Sequence, residues 1–155
     1  MRLSKNFVLS EITRSDTAKR LGINNEPTKK DLENIQRLIT NILQPLRNHL
    51  GPIRISSGYR NKELNSAING SSRSQHCKGE ALDIQFWKDG KMCNKEIYDW
   101  IIDNAIEFDQ MINEFDFSWI HISLKKSNNR REVLEAYKDK DGDTKYRYAP
   151  DIITL

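Results

Sequence analysis

Histidine is scarce in this chain: it has three in 155 residues, at positions 49, 76 and 121. Cysteine is scarcer still, with only Cys77 and Cys93. Two cysteines cannot build the disulfide framework of a small secreted scaffold, and a reducing compartment fits them. No apolar run approaches the roughly 20 residues that span a bilayer, so membrane insertion is not expected. Behind Met1-Arg-Leu-Ser-Lys-Asn-Phe7 no apolar segment follows that would read as a secretory signal. The expectation is synthesis in the cytoplasm, with some other device carrying the protein to any substrate outside it. A charge surplus is lacking too. The formal net charge of +3 permits attraction to an anionic polymer such as a cell wall, but falls short of a nucleic-acid footprint. The densest basic cluster, Lys125-Lys126 with Arg130-Arg131, reads as a solvated loop.

What is present is enough for one domain over residues 1–155, with a real core and little to spare for a second. Residues 1–25 read as a capping arm with a short helical piece, carrying Phe7, Leu9 and Ile12. Thr28 and Asp31 then resemble a capping box. Behind them Leu32, Ile35, Leu38, Ile39, Ile42, Leu43, Leu46 and Leu50 recur at helical spacing. Pro45 should kink or break this main core helix, and Gly51 should close it. Residues 52–56 alternate as a half-buried strand, 61–68 read as a short helix, and 71–80 as a polar loop. Strands are expected again at 81–86, 110–115 and 119–124. Asn94 is placed to cap a second amphipathic helix built on Ile97, Trp100 and Ile101. The tail, 126–155, reads as a strand and terminal hairpin turning at Asp139–Gly142. Helices first and clustered strands later predict an α+β domain: a central antiparallel sheet with helices packed on one side.

The chemistry concentrates in two stretches, Ser74-Gln-His-Cys-Lys-Gly-Glu-Ala-Leu-Asp83 and Trp119-Ile-His-Ile-Ser123. His76, Asp83 and His121 offer two imidazole nitrogens and one carboxylate oxygen. That set suits one zinc ion that keeps its fourth position open for water. An open position means reaction rather than scaffolding, so the reading is a zinc hydrolase. A lone strand histidine is more often structural; the coincidence of all three residues with a glycine-bearing loop favours the metal. Gly79 permits a tight backbone there, and small Ala81 leaves room. Ser74 and Ser123 are candidates to orient a ligand by hydrogen bonding. Trp119 shares the face of His121 and is placed to wall the site. Cys77 follows His76 directly, but neighbours point apart, so it is not assigned as a ligand. Arg60, leaving a strand in Ser57-Gly-Tyr-Arg60, can fork onto a carboxylate or a carbonyl under attack. Tyr59 beside it is either a substrate contact or ordinary packing. His49 reads as a helix-terminal surface residue.

These residues also resemble a known family. Ser-x-His-x-x-Gly-x-Ala-x-Asp at 74–83 with Trp-x-His at 119–121 is similar to the zinc D-Ala-D-Ala carboxypeptidases. Their relatives include phage L-alanyl-D-glutamate endolysin peptidases and D-Ala-D-Ala dipeptidases, all of hedgehog/DD-peptidase fold. Leu3-Ser-x-Asn-Phe-x-Leu-Ser-Glu11, Leu43-x-Pro-Leu-Arg47, Ser57-Gly-Tyr-Arg60 and Phe108-Asp-Gln-Met-Ile-x-Glu114 extend the likeness to the compact phage and bacterial branch. It covers residues 1 to about 125 and leaves the tail unmatched. The resemblance implies His76, Asp83 and His121 as zinc ligands, with Arg60 facing the substrate. Several members carry an acid or histidine three residues before the last ligand, where this chain has Ser118. Glu114 is therefore the expected general base, with Asp116 as the alternative. The implied substrate is a peptidoglycan stem peptide, cleaved by endopeptidase or carboxypeptidase action. The implied setting is phage or prophage wall lysis, by a monomer freed by a holin or carried in a virion. The competing expectation is a hedgehog-like module that holds zinc without hydrolysing anything.

Overall fold

A computed structural model describes residues 1–149. Seven strands form one sheet in the order β1-β2-β5-β4-β6-β7: β1 (Ile53–Ser57), β2 (Ala81–Lys88), β4 (Gln110–Glu114), β5 (Trp119–Ser123), β6 (Glu132–Lys138) and β7 (Thr144–Tyr148). The short β3 (Lys91–Met92) folds back on the end of β2. Period-two alternation gives this sheet two unlike faces. Leu82, Ile84 and Phe86 of β2, Ile120 and Ile122 of β5, and Met111 of β4 are all buried in one apolar cluster. Into the same cluster pack Ile35, Leu38, Ile42 and Leu46 from the long helix and Ile97 and Ile101 from α6 (Asn94–Asp103). Each such buried aliphatic side chain contributes roughly 1.5–3 kcal/mol. The helices thus cover one face, and Asp83, His121 and Glu114 are left on the other.

The N-terminal arm is more structured than expected. It holds two helices, α1 (Leu9–Thr13) and α2 (Asp16–Leu21), and places Leu3, Phe7 and Ile12 in the core. Asn25 fastens it to the sheet: its amide donates to the Thr13 and Tyr59 carbonyls at 2.9 and 2.8 Å. Further on, α5 (Lys62–Ala67) starts at Asn61, whose side chain accepts from Leu64 N–H.

Three expectations are corrected. The sheet is mixed, because β6 runs parallel to β4, Met111 facing Val133. The other edge of β5 is taken by β2, so the chain crosses the start of β4 and adds β6 to its free edge. Pro45 does not break the core helix. α3 (Lys29–Leu38) widens into a π-helical turn (Ile39–Leu43) and continues as α4 (Gln44–Leu50), with helical dihedrals at both junctions. The wide turn removes the demand for the hydrogen bond that Pro45 cannot donate. Gly51 ends the helix at φ +107°. Asn94 caps nothing; Cys93 stands at the N-cap. Its amide instead accepts from Phe86 N–H and donates to the Phe117 carbonyl, each at 2.8 Å, tying β2 to the β4–β5 turn.

Candidate metal centre

His76 sits on a 3-10 helix (Gln75–Lys78) that Ser74 caps, its hydroxyl accepting from His76 N–H. The turn closes on Gly79 at φ +73°, where a Cβ would stand 2.5 Å from the Asp31 carbonyl, so only glycine fits. The imidazole is 4% exposed, and its Nδ1 lies 2.8 Å from the Gly58 carbonyl oxygen. A carbonyl only accepts, so Nδ1 carries the proton and Nε2 presents its lone pair to the site. Gly58 is held in place for this task. Its missing Cβ would fall 2.2 Å from the Ile12 carbonyl oxygen, and Tyr59 N–H donates to that same oxygen.

Asp83 and His121 face each other across the β2–β5 ladder. His121 Nδ1 lies 3.0 Å from Asp83 Oδ1, and His76 Nε2 lies 3.4 Å from it. One ligand atom from each of the three residues falls within 4.8 Å of the others. Donor atoms of a tetrahedral zinc stand about 3.3 Å apart, given metal–ligand bonds near 2.0–2.2 Å. The spacing and the two-nitrogen, one-oxygen chemistry both fit that ion. Burial alone would raise the Asp83 pKa, but hydrogen bonds and charge from His121 and His76 hold it well below the usual carboxylate range. The group is ionised at neutral pH, as a metal ligand must be.

Beside this cluster opens a cleft of about 700 Å³, bordered by Arg60, Ser74, Glu114 and Trp119. Glu114 is 8% exposed at the end of β4, opposite Trp119. Burial pushes its pKa up to about 7, with His121 opposing and the Asp83 charge adding to the rise. A carboxyl poised there can take a proton and return it. Arg60 N–H donates to the His76 carbonyl, and its Nη2 donates to Ser74 Oγ at 3.1 Å. Its Nε is buried with no hydrogen-bond partner among the described residues. Ser74 therefore serves both the His76 turn and Arg60. Trp119 packs on Phe115 with ring centroids 5.5 Å apart.

Other candidates lie elsewhere. Tyr59 is 3% exposed and donates to Asp31 Oδ2 at 2.8 Å, so it is a packing residue rather than a substrate contact. Ser123 is fully buried; its hydroxyl accepts from Gln110 N–H and donates to the Gln110 carbonyl, so it serves the strand ladder instead of a ligand. Asp116 is exposed in the β4–β5 turn and outside the cleft lining. Ser118 holds that turn by donating to the Phe115 carbonyl at 2.7 Å. The support is needed: Phe115, Asp116 and Phe117 all have left-handed φ of +49°, +55° and +60°. Each such residue costs roughly 1–2 kcal/mol. Cys77 is not among the clustered ligands.

The sequence reading missed the contribution of the tail. Arg130, Leu134, Lys138 and Tyr146 all border the cleft. Registers place Glu114 beside Ala136 and Ala136 beside Tyr146, in one row across the sheet. No local signal announces this, because it follows from the parallel β4–β6 pair. Arg130 and Arg131 are not merely solvated. Arg130 pairs with the buried Asp109, while Arg131 lies 4.8 Å over the Phe108 ring. A second acidic group, Asp139, Asp141 and Asp143, belongs to the β6–β7 turn, where Asp139 Oδ1 accepts from the other two N–H groups.

No helix among the described residues is long and apolar enough to cross a membrane. No curated protein matches the chain. The family model described as Peptidase M15 matches residues 5–123, well over half of the sequence and every residue of the His76, Asp83, His121 cluster. The α+β fold agrees with it, and the chain belongs to the M15 peptidases.

Proposed function

We propose that this protein is a zinc-dependent peptidase that hydrolyses peptidoglycan stem peptides. The observation that carries the reading is the meeting of His76, Asp83 and His121 within 4.8 Å, beside a buried glutamate in an open cleft. His76, Asp83 and His121 would hold one zinc ion, which would supply Lewis acidity toward a carbonyl oxygen and lower the pKa of water in the site. Glu114 takes a proton from the attacking water and returns it to the departing amine. Arg60, which borders the cleft, donates to the carbonyl oxygen as negative charge develops there. Trp119 and Phe115 wall the cleft, packed on one another. In this reading the protein acts as a phage or prophage lysis enzyme, made in the cytoplasm and released by a holin or carried in the virion.

The test is digestion of purified cell walls by zinc-loaded protein, read as newly freed amines and by mass spectrometry of muropeptides. Wild type is expected to release new amino termini, and Glu114→Gln to release none above background. A protein that binds one equivalent of zinc yet frees no amine would instead be a zinc-holding binding module.

A further inference from the structure

The family match ends at residue 123, yet the cleft continues past it to Arg130. Arg130 precedes β6, on the segment that crosses the start of β4. Its partner Asp109 is 1% exposed. Asp109 accepts from Arg130 N–H at 2.9 Å, from Nη2 at 2.8 Å, and from Nε at 3.2 and 3.3 Å. Burial works to raise the Asp109 pKa, but these bonds and the Lys125 ammonium at 3.5 Å bring it down to about 2. The guanidinium is thereby anchored through one edge to a fixed buried charge. Gln75 Nε2 also donates to Asp109 Oδ2 at 3.0 Å, so the brace is tied to the turn that carries His76.

The other edge is unspent. Among the described residues Nη1 has only a 3.7 Å contact to Glu132 Oε1, and that oxygen already accepts from Gln110 Nε2 at 2.7 Å. Arg130 remains 49% exposed at its side chain and borders the cleft together with Arg73 and Arg60. Neither Arg73 nor Arg60 has a carboxylate partner among the described residues. A planar guanidinium held rigid on one side offers its remaining N–H groups to a carboxylate with little ordering cost. Pinning the crossover needs only the edge facing Asp109. A rigid, half-exposed second edge in a substrate cleft is surplus to that structural role.

We propose that Arg130, braced by Asp109, receives a free carboxylate of the bound peptide at the Gln75 end of the cleft and selects acidic peptides over their amidated forms. The assignment rests on the peptidase reading and adds to it a specificity-determining residue outside the family-matched segment. It is tested with a synthetic stem-type pentapeptide whose carboxylates are free, and the same peptide with those groups as carboxamides. Wild type is expected to favour the acid peptide by about 10- to 100-fold in kcat/KM, the range for a hydrogen bond to a charged group. Arg130→Gln should bring that ratio close to one, chiefly by raising KM for the acid peptide. Arg130→Lys keeps an ion pair with Asp109 but lacks the second edge, and should lose the preference as well. A ratio unchanged in both variants, including an equal loss on both peptides, overturns the proposal. If wild type cleaves neither peptide, the wall-digestion assay judges the peptidase reading separately, and calorimetric binding of the same pair to zinc-loaded protein decides the role of Arg130. Tighter binding of the acid form that vanishes in both variants upholds the role of Arg130, and binding indifferent to position 130 removes it.

Discussion

Ile120, His121 and Ile122 are neighbours on β5, yet they belong to different parts of the molecule's economy. The isoleucines are fully buried under the helices, and His121 faces the cleft with Asp83 and Glu114. The covered face is apolar, built from aliphatic side chains with Phe86 and Met111 among them. The open face carries imidazoles, carboxylates and guanidinium groups, a buried glutamate raised to about 7, and a left-handed turn at its edge. One face supplies stability and the other spends some of it on chemistry. The difference teaches that a strand can hold both functions one residue apart, because alternation separates them by the thickness of the sheet.

Breaking the open face should cost the most activity and the least stability. His121→Ala removes one of the three proposed ligands and is expected to lower wall-peptide hydrolysis by roughly a thousandfold or more, with zinc lost from the purified protein by elemental analysis. Its metal-free melting free energy should move by no more than about 1 kcal/mol. Next comes Glu114→Gln, with an expected loss of about 10²–10⁴ in kcat.

The same glutamate sharpens the contrast in stability. An acid whose folded pKa is raised adds stability below its unfolded pKa and loses that contribution as pH rises through about 7. Metal-free Glu114→Gln should therefore be the more stable protein above pH 7, by about 1–2 kcal/mol after allowing for water in the cleft, read as a denaturant midpoint at two pH values. Ile84→Ala inverts the pattern: about 2–5 kcal/mol of stability lost, with zinc stoichiometry and turnover of the folded protein retained. A smaller loss of stability than that of Ile84→Ala is expected for Asn94→Ala, which strands the Phe86 N–H and the Phe117 carbonyl. About 1–3 kcal/mol of stability and a modest part of the activity should go, as the turn beside Glu114 loosens.

Much of this was legible beforehand where the signal is local. The strand at Ala81–Phe86 and the helix behind Thr28 follow from periodicity, and His76, Asp83 and His121 stand out by residue type and spacing. Gly79 is readable because a tight left-handed turn admits little else. Tyr59 and Ser123 misled for a common reason: a hydroxyl beside a motif says nothing of its partner, and theirs turned out to be Asp31 and the Gln110 backbone. Asn94 misled similarly, since a residue suited to capping a helix is equally suited to bridging two backbone segments. Pro45 was judged by its missing N–H alone, while the π-helical turn before it had already absorbed the defect.

The sequence alone determined which side chains are available as candidate ligands and which face of each strand they occupy, because residue type and the two-residue pleat are properties of the local chain. Only the tertiary structure decided that β6 lies parallel beside β4, which brings Arg130 and Tyr146 to the cleft and sets Asp109 beneath Arg130. Strand pairing is a contest among edges distant in sequence, settled by which edge is left free once the rest of the sheet is assembled.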